Sequence, residues 1–151
     1  MWQAQGDMDA FPEMSRVAES SRSLGTNHPT YLKALHYLGQ WFLDSDELSR
    51  AEILIFEAWN GRRKTLGHNH PDTLASFFGV VLWFVIKLEV TQALKLCHEY
   101  DVLKSFAWVY GLDHSWTEEA SCLVATLESP QDFDAEKEKM LGFLKHLRFS
   151  Y

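Results

Sequence analysis

Leu66-Gly67-His68-Asn69-His70-Pro71-Asp72-Thr73-Leu74 decides how this chain is read, because most of it has already occurred once. Leu24-Gly25-Thr26-Asn27-His28-Pro29-Thr30 stands 42 residues earlier, with Leu, Gly, Asn, His and Pro in register. A weaker third copy, Tyr110-Gly111-Leu112-Asp113-His114, follows 44 residues after the second. Self-similarity at a fixed period of about 20–50 residues is the mark of a stacked-repeat architecture, in which each unit buries its apolar face against the next.

Working outward, each copy lies between two helical patterns. Gly25 and Gly67 suit helix stops, and Pro29 and Pro71 suit first helical turns. Leu32, Leu35, Leu38, Gly39 and Phe42 recur at helical spacing over 29–43, and Asp44-Ser45-Asp46 breaks them. A second helix over 47–64 turns Ala51, Leu54, Ile55, Ala58 and Trp59 inward, with Arg62, Arg63 and Lys64 at its C-terminal end. One repeat is thus a helix pair. In the second copy, 71–87 is apolar on nearly every side and belongs at the centre of the fold. The stretch 89–108 predicts one partner helix with Ala93, Leu94, Cys97 and Leu103 inward. Ser115 opens a further helix to Leu127, which Ser129-Pro130-Gln131 ends. Residues 132–149 predict a last helix with Phe133, Met140, Leu141, Leu144 and Leu147 on one face. Before the first copy, 11–23 reads as a helix with Pro12 in its first turn and Met14, Val17 and Ala18 inward, preceded by a flexible 1–10.

The expected organisation is therefore all-α, one helical-repeat domain over 1–151: a partial repeat helix at 11–23, repeat 1 at 24–65, repeat 2 at 66–109, and repeat 3 plus a capping helix at 110–151. Composition agrees, since 46% apolar and 14% aromatic residues supply a packed core rather than a disordered chain. A net charge of −7 argues against nucleic acid as partner, which calls for a basic face. The longest apolar run, 77–86, is too short to cross a bilayer. Two cysteines without metal-type spacing and an acidic N-terminus without an apolar signal core point to a cytoplasmic setting.

A helix pair opened by Leu-Gly-x-x-His-Pro-x-x at a 42-residue period resembles the tetratricopeptide (TPR) repeats of the kinesin light chain type, over roughly residues 10–128. Gly39, Ala51 and Ala58 fall where the helices of such a pair touch most closely, with Leu35, Leu38 and Phe42 as their large partners. The second copy departs from the pattern with Val81 and Tyr100 where small residues are usual, while Ala93 is kept and the third copy keeps Ala125; the resemblance is to a degenerate member. It implies an α-solenoid of about three repeats whose first helices line a concave face, the usual site of peptide binding.

On that implication the lining is Lys33, His36, Tyr37, Gln40 and Leu43 from the first repeat. The second gives Ala75, Phe78, Gly79, Leu82 and Val85, and the third Glu119, Cys122 and Thr126. Where kinesin-light-chain-like repeats carry an Asn-Asn pair that binds a peptide main chain, this sequence has His36-Tyr37 and Phe78-Gly79. The resemblance therefore implies a non-catalytic interaction or scaffold module binding a protein, a peptide or helix, or a second copy of itself, without cofactor, metal, nucleic acid or membrane. The ligand-facing set is Lys33, His36, Tyr37, Gln40, Phe78, Leu82, Val85, Glu119 and Cys122. The competing reading is an enzyme or small-molecule binding protein. It puts His36, Tyr37, Gln40 and Glu119 around an apolar floor, with His36, Tyr37 and Glu119 as the groups for acid/base chemistry.

Other residues read more plainly. His68-Asn69-His70 has the look of a metal clip, yet His70 is the repeat's own histidine and only His68 is extra. His28, His70 and His114 recur because the turn recurs, which makes them structural. Cys97 and Cys122 read as small core residues, and Trp41, Trp59, Trp83 and Trp108 as packing.

Overall fold

A computed structural model of the chain describes residues 4–129 and, beyond them, 133, 137–139 and 141–142. Seven helices are bounded within 4–129: α1 (Ala4–Arg22), α2 (Pro29–Asp44), α3 (Leu48–Leu66), α4 (Pro71–Ile86), α5 (Val90–Glu99), α6 (Val102–Tyr110) and α7 (Ser115–Glu128). There is no strand among the described residues. The helices gather into two compact units, Met1–Gly67 and His68–Tyr151.

In the first unit α2 packs against both α1 and α3. The approach of α2 to α3 has a steric cause: a Cβ on Gly39 would lie 2.5 Å from Ile55 Cγ2 and 3.2 Å from the Ile55 amide nitrogen. Only a residue without a side chain lets the two helices come this close. Tyr31, Leu32, Leu35 and Ala58 form the core of this crossing, and the Tyr31 hydroxyl donates to Glu57 Oε1 at 3.1 Å. Phe11 of α1 lays its ring against Trp41 at 4.2 Å and meets Phe42 edge-on. This helix begins at Ala4, earlier than the sequence predicts, and Pro12 falls inside it rather than in its first turn. The proline costs the helix one amide donor but is compatible with helical φ.

The second unit is built on α4, buried along almost its whole length as its composition predicts. Here α4 packs on α5, and α5 and α6 pack on α7. The single helix expected over 89–108 is two, because Asp101 adopts a left-handed φ of 51° between α5 and α6. Tyr100 anchors the break. Its ring stacks on Phe77 at 4.4 Å and its hydroxyl donates to the His68 carbonyl at 2.7 Å. The break also shifts the helical phase, so that Val102, Ser105 and Phe106 are buried while Leu103, expected inward, is exposed. Of the last predicted helix, Phe133 is buried, and 137–139 and 141–142 are helical. Met140, Leu144 and Leu147 lie outside the described residues.

Two kinds of turn recur at the level of the backbone. In the first, Gly25, Gly67 and Gly111 take φ of 119°, 85° and 98°, and three residues on a histidine opens the next helix. Such φ values, with ψ near 170° at Gly67, belong to a region essentially closed to side chains. In the second, Glu47 donates to Phe42 and Asp46 to Leu43, while Glu89 donates to Phe84 and Leu88 to Val85. This is a Schellman pattern twice over, with a left-handed residue, Asp46 or Leu88, after the helix.

Candidate functional site

The recurring histidines are helix caps. His28, His70 and His114 all have extended backbones at the N-cap position. Each Nδ1 accepts the amide hydrogen of the residue two places on: Thr30 at 3.3 Å, Asp72 at 3.1 Å and Trp116 at 3.1 Å. The first amides of a helix have no partner within it, so the imidazole takes the part that Ser, Asp or Asn usually plays. His114 is further held by ring contacts to Tyr110 and Trp116 at 5.4 and 5.3 Å. His68, by contrast, is exposed, with its ring 5.0 Å from Tyr100. His70 spends its Nδ1 on Asp72, so the pair is not arranged as a clip, and no group of three or more His, Cys, Asp or Glu that would hold a metal ion occurs among the described residues.

The residues expected to face a ligand divide by burial. In the first unit Lys33 is exposed and Tyr37 half-buried, whereas His36 and Gln40 are 3% and 0% exposed. The His36 ring meets that of Tyr37 edge-on at 5.5 Å. In the second unit Phe78, Leu82 and Val85 are buried, with the Phe78 ring against Phe77 and Phe106. Glu119 and Cys122 are exposed on α7, opposite its packed face of Ala120, Leu123 and Leu127. Within each unit, then, the outer members of the set face solvent and the central ones are packed side chains.

Cysteine chemistry separates in the same way. Cys97 is buried and desolvation pushes its thiol up to about 12, which leaves almost no thiolate at neutral pH. Cys122, read from the sequence as a core residue, is exposed. Burial, followed by the nearby charge of Asp72, also pushes the Tyr110 hydroxyl up to about 12. That hydroxyl and the Thr73 Oγ1 are buried without a hydrogen-bond partner among the described residues. Trp59 and Trp83 pack as expected, and Trp108 does not: it is 78% exposed at the end of α6, as is Leu112 just beyond. Helical spacing within 89–108 gave no warning of this, since the phase change at Asp101 intervenes.

No helix of the described residues is long and apolar enough to cross a membrane. No family model matches the chain, and no curated protein matches it significantly.

Proposed function

We propose that the chain is a non-catalytic, TPR-like interaction module: a short α-solenoid of about three helix-pair repeats that binds a protein or peptide, or a second copy of itself. The observation that carries this reading is the threefold turn at 25–28, 67–70 and 111–114, in which glycine φ, spacing and histidine cap all repeat. A unit that recurs in hydrogen bonding as well as in letters is a structural module, and modules of this kind act through surfaces. Burial of His36 and Gln40 supports binding over acid/base catalysis, because a catalytic imidazole must reach its substrate. Lys33 and Tyr37 in the first unit, and Glu119 and Cys122 in the second, are the members of the expected set left to meet a partner. Two unpaired thiols suit a cytoplasmic setting.

Benzophenone photocrosslinkers at Lys33 and Cys122, with the exposed Leu88 as control, test the reading in cells that make the protein. Discrete protein adducts, or a crosslinked dimer, are expected from the first two positions and not from the third. Absence of any adduct at both, alongside saturable binding of a small molecule, would replace the reading with that of a ligand pocket.

A further inference from the structure

The charge of this acidic chain is unevenly placed. In the first unit α2 packs against α1 and α3 and is joined to each by a short turn, so its N-terminus lies at the same end as the C-termini of α1 and α3. Side chains fix this register: a Cβ on Gly61 of α3 would run into Leu32 of α2, and Arg22 of α1 acts electrostatically on the Tyr31 hydroxyl. Arg22, Lys33, Arg63 and Lys64 are gathered at this end, and none of them makes an ion pair among the described residues. Arg63 lies over the Trp59 ring at 4.9 Å, which leaves its charge in place. No Asp or Glu occurs from 20 to 43 or from 58 to 71. Of the carboxylates that flank these stretches in the unit, Glu19 and Glu57, the second accepts from Tyr31.

Helix dipoles account for part of the pattern, since Arg22, Arg63 and Lys64 stand in last turns. They do not account for Lys33, near the positive end of α2, whose first turn holds no carboxylate. Nor does the turn require these charges. Arg22 and Lys64 stand six residues before their capping histidines and Lys33 five after, and at the third turn the same places hold Trp108 and Glu119. Packed helix axes are about 8–10 Å apart, close to a Debye length at physiological salt, so the fields of the four cations add. Between them Leu24 and Leu66, next to the strained glycines, are 64% and 40% exposed.

We propose that this end of the first unit docks an acidic peptide segment of a partner protein, its carboxylates meeting the four cations and its apolar side chains lying on Leu24 and Leu66. The proposal rests on the reading of the chain as an interaction module, and it adds a surface that shares only Lys33 with the helix face considered above. Cations spread over three helix ends match side chains along an extended chain, which advances about 3.4 Å per residue, better than one compact anion. The exposed leucines suit a peptide as well. A nucleic acid is the poorer fit, because the net charge of −7 repels a polyanion wherever it extends beyond the patch.

Fluorescence anisotropy on the full chain tests this with a labelled peptide of alternating glutamate and leucine, and with its lysine–leucine counterpart. Saturable binding of the first and not of the second is expected, weakening by about fivefold or more as salt rises from about 50 to about 300 mM. The exposed substitutions Arg22→Glu and Lys64→Glu should each weaken it by about threefold to tenfold. Arg50→Glu, the same change of charge on the first turn of α3 at the other end of the unit, should weaken it by less than about twofold. Equal loss with Arg50→Glu overturns the proposal, and so does tighter binding of a single-stranded DNA oligonucleotide. Absence of peptide binding overturns it too, and discrete protein adducts at Lys33 in the crosslinking experiment would then leave the module reading standing without it. The salt series and the lysine–leucine control need only the unmodified chain, so the outcome does not depend on any variant folding.

Discussion

Leu88 is a leucine in a glycine's place. At φ of 61° it occupies the left-handed position of the α4 Schellman turn, and its side chain is 64% exposed, so little packing offsets the strain. An L-residue there carries roughly 1–2 kcal/mol of steric cost, partly offset in a glycine variant by the extra freedom of the unfolded chain. Leu88→Gly is therefore expected to stabilise by about 0.5–1 kcal/mol, raising Tm by roughly 1–4 °C in a thermal melt. Gly67 is the reverse case. A Cβ there meets nothing within 4 Å, so Gly67→Ala isolates the backbone term. With φ of 85° and ψ of 173° the expected loss is about 1–3 kcal/mol, and a melt unchanged by this substitution would contradict the strained turn.

The two segments between successive glycine turns differ by two residues, and the break between α5 and α6 accounts for them. The turns at Gly25 and Gly67 are 42 apart, those at Gly67 and Gly111 are 44 apart, and α3 is continuous where its counterpart is divided at Tyr100 and Asp101. Two residues added to an unbroken helix rotate everything beyond them by about 200°, which would turn the packed face to solvent. The left-handed Asp101 resets the phase, and Tyr100, clasped between Phe77 and the His68 carbonyl, holds the reset in place. Side chains after the break test this directly. Leu103→Ser is expected to change stability by no more than about 0.5 kcal/mol, while Phe106→Ala should cost about 3–5 kcal/mol. A continuous helix would give Leu103 the larger effect, and urea titration of both variants separates the two.

Across the molecule, what the letters reveal is what is encoded locally. A glycine at positive φ, a capping histidine three residues later and a helix apolar on every side leave marks in the sequence, so the turns, the helix pairs and the burial of α4 are legible there. The break at Asp101 is not, because aspartate in a left-handed turn and aspartate on a helix surface look alike. Nor is the fate of His36 and Gln40: periodicity assigns them a face but says nothing of what lies against it, and both are buried. Cys122 and Cys97 show the same limit, since each falls in an apolar pattern and only Cys97 is covered. Their contrast makes a probe of the whole chain. A thiol-specific reagent at a pH of about 8 should label Cys122 at once. Cys97, at 1% exposure and with its thiol pushed up to about 12, should react only when the chain opens. Its labelling rate then follows the population of the open form, so Gly67→Ala should accelerate it by about tenfold or more and leave Cys122 unchanged. Two equivalents of reagent consumed immediately by the native chain would show that the core around α5 is not closed.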